Sequence, residues 1–83
     1  MEKVYSLFRN ARIRKELGSR AEFKYIWDCY RVWAEENSLL QKLTKEHLKE
    51  FIGNEMGVPE DDGFYYGIRI FVDDKELEEW LKI

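Results

Sequence analysis

The stretch "FYYGIRIFVDD", Phe64 to Asp74, constrains the fold of this chain more than any other. It is rich in aromatic and β-branched residues and reads as a β-strand, whereas the other long segments read as helices. A strand exposes a row of N–H and C=O groups that need partners, so the chain must supply at least one more extended segment. Two candidates are visible. One is the arm around Val58, joined to the strand by the hairpin signal Asp62-Gly63 but weakened by Pro59. The other is "SLLQKL", near Leu43. Strict alternation assigns Phe64, Tyr66, Ile68, Ile70 and Val72 to one face, and Tyr65, Gly67, Arg69 and Phe71 to the other.

The helical segments are read from spacing and caps. Val4, Leu7, Phe8 and Ala11 follow one helical face, predicting a helix from Glu2 to about Leu17 that stops at Gly18. Ser19 and Glu22 have the spacing of a capping box, predicting that a second helix starts there and runs to Asn37. Phe23, Ile26, Trp27, Tyr30, Trp33 and Ala34 form its main apolar face, and Tyr25, Cys29 and Val32 a second stripe. A helix so apolar is expected to be buried on most sides. Leu39, Leu40 and Leu43 anchor a turn. Thr44 is a good N-cap for a third helix that turns Leu48, Phe51, Ile52 and Met56 inward and stops at Gly57. Asp73 and Glu76 form a second capping box, opening a short helix with Leu77, Trp80 and Leu81 on its apolar face. The fold class is therefore α+β and mostly helical. A central helix, a capped second helix and a small antiparallel wing sheet make a winged-helix-like outline. Residues 1–83 are expected to form one domain, in which residues 1–18 either cap the core or form an arm from an upstream domain.

Composition supports a folded chain. Hydrophobic residues make up 45% and aromatics 16% of the sequence, too apolar for disorder despite 37% charged residues. The single cysteine, Cys29, excludes an internal disulfide framework and fits a reducing, intracellular compartment. The N-terminal "MEKVYSLFRNARIRK" lacks the apolar run of a secretion signal, and no run approaches the ~18 residues of a membrane span. Net charge is −3, but residues 1–33 carry +4 and residues 34–83 carry −7. The basic excess lies in "RNARIRKELGSR", which reads either as a polyanion-facing surface or as a solvated helix face.

Three groups of residues resemble a known pattern. They are Tyr30, Trp33, Glu36 and Asn37; then Thr44, Leu48, Phe51 and Ile52; then Tyr66, Gly67, Ile68, Arg69 and Ile70. Over residues 23 to 72 the chain resembles the C-terminal winged-helix domain of poxvirus-type viral and plasmid primase-helicases (superfamily three). The resemblance implies a DNA-replication setting, with an upstream helicase domain or other replication proteins as partners. The chain departs from the pattern at "PEDDG", where the wing is acidic rather than basic.

Catalysis finds little material here. His47 is the only histidine and reads as a surface residue, while Cys29 lies within an apolar helix. One Cys and one His do not make a structural zinc site. Aligning Gly63 with the glycine of a calcium loop puts Val58 and Arg69 at the terminal ligand positions, so that loop fails. No enzyme, cofactor or metal is expected. The candidate nucleic-acid contacts are Arg9, Arg12, Arg14, Lys15, Arg20, Lys45, Lys49 and Arg69, with Tyr65 and Phe71 available to stack bases or cover core. DNA binding is expected to be weak and salt-sensitive. The alternative is a protein-interaction module, a homodimer or docking domain, using the strand edge or the acidic C-terminal half.

Overall fold

The orphan strand finds its main partner in a segment whose local spacing reads as helix. A computed structural model describes residues 2–39 and 44–82 of the chain. Helix α1, Glu2–Arg12, ends where strand β1, Ile13–Glu22, begins. Helix α2 spans Phe23–Glu36, and α3 spans Lys45–Glu50 before passing into a π-helical turn, Phe51–Glu55. Strands β2, Glu60–Asp61, and β3, Phe64–Ile70, precede helix α4, Asp74–Leu81. The sheet is antiparallel with strand order β1-β3-β2, so the protein is α+β, largely helical, and compatible with a winged-helix-like outline.

The strand partners correct two expectations. The helix predicted to reach Leu17 stops at Arg12, because Ile13, Arg14 and Lys15 pair with Ile70, Arg69 and Ile68. The Ser19–Glu22 capping box does not form either. Ser19 lies within β1 and its hydroxyl donates to Glu16, while α2 begins at Phe23 with Glu22 as N-cap and no side-chain cap bond. Strand β3 needs a partner for its own N–H and C=O groups, and β1 supplies it, which overrides both local helical signals. The arm near Val58 does join the sheet, shifted past Pro59: Glu60 pairs with Tyr65, and the Tyr66 N–H donates to the Pro59 carbonyl at 3.0 Å. The candidate near Leu43 lies outside the described residues.

Asp62 and Gly63 form the two-residue turn between β2 and β3, both with positive φ (53° and 84°), as that tight hairpin requires. A further positive φ, 82° at Gly67, breaks the alternation of β3. Opposite it, residues 16–19 of β1 loop out between the Lys15–Ile68 and Arg20–Tyr66 pairs, forming a bulge. The phase of β3 flips there. Tyr65, Ile68 and Ile70 are buried, while Tyr66 and Arg69 are exposed, replacing the two faces that strict alternation assigns.

The inner face of the sheet packs on an aromatic core. Tyr30 on α2 lies 5.7 Å from Tyr5 and, edge-on, 5.1 Å from Phe8 by ring centroids, with Trp27 stacked at 5.8 Å. Val4, Tyr5 and Phe8 build α1 into this core, and Leu48, Phe51 and Ile52 bring in α3 and its π-helical turn. Tyr25 and Val32 are about half exposed, so α2 is buried along one side rather than around its circumference. The predicted caps of the later helices are present. Thr44 Oγ1 accepts the His47 N–H at 3.2 Å, and Asp73 Oδ1 accepts the Glu76 N–H at 2.8 Å. Asn37 closes α2 with its amide donating to the Trp33 carbonyl at 2.8 Å.

Candidate nucleic-acid interface

The outer face of the sheet is built from residues opposite the buried ones. Directly paired residues on neighbouring antiparallel strands share a face, so the cross-strand pairs Arg14–Arg69, Arg20–Tyr66 and Glu22–Phe64 form successive rows there. Two arginines are held on aromatic rings. The Arg20 guanidinium lies 4.6 Å from the Phe64 ring centroid, and that of Arg69 lies 5.3 Å from Phe71. Tyr66 stands between these two positions in the strand, with its side chain at the surface.

Helix α4 closes one end of this face. Its Trp80 packs 5.5 Å from Phe71, and Trp80 Nε1–H donates to Glu16 Oε2 at 2.5 Å. Glu16 also lies 3.8 Å from the Arg69 guanidinium. Glu16, Arg69, Trp80 and Leu81 line an open cleft of about 410 Å³. Hydrogen bonds from Ser19 and then Trp80 hold the Glu16 carboxyl below its usual range. The carboxylate that fixes the bulge onto α4 therefore stays ionised at neutral pH.

The expected basic residues scatter over the fold. Arg14, Arg20 and Arg69 meet on the outer face. Arg14 is partly engaged, since its NH1 donates to the Asn10 and Ile13 carbonyls at 2.7 and 2.8 Å, at the electronegative end of α1. Lys15 is exposed beside the bulge, paired with Ile68. Arg9 sits apart on α1, its guanidinium 6.0 Å from the Phe51 ring. Lys45 and Lys49 lie over Trp27 and Phe23, at 5.9 and 4.9 Å, beside exposed Glu46 and Glu50.

Arg12 is not a surface contact at all. Only 7% of its side chain is exposed, and NH1 donates to Asp74 Oδ1 at 2.5 Å and to the Ala11 carbonyl at 3.0 Å. It clamps the end of α1 to the start of α4. Tyr65 and Phe71, considered as base-stacking residues, are also buried, at 4% and 0% exposure. Tyr66 is the aromatic that strict alternation missed; the signal available was the glycine beside it, a common mark of a bulge.

The other chemical candidates are placed plainly. His47 is exposed. Cys29 is buried, and burial pushes its thiol above the usual range, away from nucleophilic reactivity. Among the described residues no group of three or more His, Cys, Asp or Glu is arranged to hold a metal ion, and no helix is long and apolar enough to cross a membrane. Comparisons with protein-family models, with curated proteins and with solved structures find no match to this chain.

Proposed function

We propose that this protein is a non-catalytic nucleic-acid-binding module, with the outer face of the sheet as its contact surface. The observation that carries the reading is the direct cross-strand pairing of Arg14 with Arg69. Like charges directly opposite one another destabilise a sheet; Glu16 near Arg69 and the carbonyls that accept from Arg14 offset part of the repulsion, and a polyanion would offset the rest. Arg20, from the far side of the bulge, adds a third cation to the same face. The resemblance over residues 23 to 72 supports a setting in DNA replication, attached to or working with a helicase of viral or mobile-element type.

Fluorescence anisotropy against single-stranded, forked and duplex DNA at low salt tests the reading. Binding is expected to weaken steeply with salt. Arg20→Ala and Arg69→Ala are each expected to lower the slope of log affinity against log salt by about 0.7–1. Absence of binding to every DNA form by the folded protein would overturn it.

A second reading, a docking module, is favoured by one observation. Strand β1 is the edge of the sheet and has only β3 beside it among the described residues. The bulge and the charges of Arg14, Lys15 and Arg20 on that edge are features that discourage strand addition. Sedimentation across a wide concentration range distinguishes a self-paired dimer from the monomer expected here.

A further inference from the structure

Nucleic acids differ in what a flat sheet face can hold. A duplex offers it phosphates, whereas a single strand also offers unstacked bases that lie on aromatic rings. The outer face has a feature suited to the second case. Tyr66, 39% exposed, lies on β3 directly across from Arg20, whose guanidinium is held over Phe64, and three residues before Arg69, held over Phe71. Residues along a strand advance about 3.4 Å each, so the three side chains fall within about 10 Å along the face.

We propose that this face is a stacking platform for single-stranded DNA, with a base on the Tyr66 ring and the flanking phosphates on Arg20 and Arg69. The inference rests on the nucleic-acid reading and specifies its ligand. Each arginine is already placed by the ring beneath it, so little side-chain freedom is lost when a phosphate binds. The buried Tyr65 faces the core and cannot serve.

The remaining charges limit the length of strand that the face holds. Glu22 and Asp61 both pair with Phe64 at one end of the face, next to Asp62 in the turn. They repel phosphate beyond Arg20, whose guanidinium over Phe64 counters them at this end. At the other end Glu16 is engaged by Ser19 and Trp80 and lies near Arg69, so its charge is partly countered. The bound segment is therefore short, lying over Arg20, Tyr66 and Arg69, between the acidic turn and the exposed Glu78 and Glu79 of α4.

The test compares a short oligothymidylate with a duplex of equal length in anisotropy titrations of the full chain. The native protein is expected to prefer the single strand. Tyr66→Ala should weaken single-strand binding about 5- to 150-fold, the range of one base–aromatic stack, and leave duplex binding unchanged. Tyr66→Phe should retain affinity, because the ring is kept. Equal loss for both ligands in Tyr66→Ala, or no loss in either, would overturn the platform while leaving the nucleic-acid reading intact. Failure of the native chain to bind either ligand would overturn both. Since Tyr66 is at the surface, circular dichroism of the variants is expected to match the native spectrum.

Discussion

The two faces of one small sheet are held to different standards. On the inner face Tyr65, Ile68 and Ile70 are buried in one core with residues of α1, α2 and α3. On the outer face the same strand carries Tyr66 and Arg69, and across from Arg69 stands another arginine. Stability alone selects the first arrangement and disfavours the second. The outer face keeps paired arginines, one of them near Glu16, and an exposed aromatic, and under the proposed reading these serve contact with nucleic acid, whereas the inner face uses its side chains for packing.

The difference can be broken first at the core. Phe8→Ala should cost about 3–5 kcal/mol in urea unfolding, because a fully buried aromatic is removed from the Tyr30–Trp33 cluster. Tyr66→Ala should change stability by less than about 0.5 kcal/mol. Comparable losses at the two positions would mean that the outer face is part of the core.

Arg12 provides a second contrast, between two arginines close together in sequence. Arg12→Ala is expected to cost about 1.5–3 kcal/mol, since it removes the buried guanidinium that bonds Asp74 and the Ala11 carbonyl. Affinity for DNA in the remaining folded protein should not change. Arg20→Ala should do the opposite, sparing the melting temperature and weakening binding. A stable Arg12→Ala protein with reduced affinity would contradict the assignment of Arg12 to the clamp.

The inner face also has a pH limit. Burial, reinforced by nearby Tyr5, pushes the Tyr30 hydroxyl up to about 12 from its ordinary 10.0. The folded state holds this proton more tightly than the unfolded chain, so stability is complete below about pH 10 and falls as pH rises toward 12. Tyr30→Phe should reduce that alkaline loss in pH-dependent melting. It also removes a buried hydroxyl that has no hydrogen-bond partner among the described residues. An unchanged alkaline profile would place the sensitive group elsewhere.

The smallest expected effect lies at the edge of the outer face. Asp61→Asn with Asp62→Asn should tighten single-strand binding a few-fold at low salt, and the gain should vanish at high salt as the charges are screened. No change at low salt would mean that the acidic turn does not repel the bound strand.

Much of the fold was legible because its signals are local. Thr44 and Asp73 cap the helices their spacing announces, and Asp62-Gly63 makes the expected turn. The strand β3 was visible from its own composition. Strand β1 was not, since its conformation is decided by partners about fifty residues away, and Ser19 with Glu22 imitates a helix start. Gly67 and the looped-out residues 16–19 then reverse the faces of β3 beyond the reach of a period-two rule. The candidate site suffers most from this. Arg12 looked like its neighbours until Asp74, distant in sequence, fixed it in place, and Tyr66 was assigned to the wrong face.

Amide chemical-shift mapping with a short oligothymidylate tests the central claim most directly. The account predicts that shifts concentrate on Arg20, Tyr66, Gly67 and Arg69, with little change at Lys45 and Lys49 on α3. Shifts centred on α3, or none anywhere at saturating DNA, would contradict it.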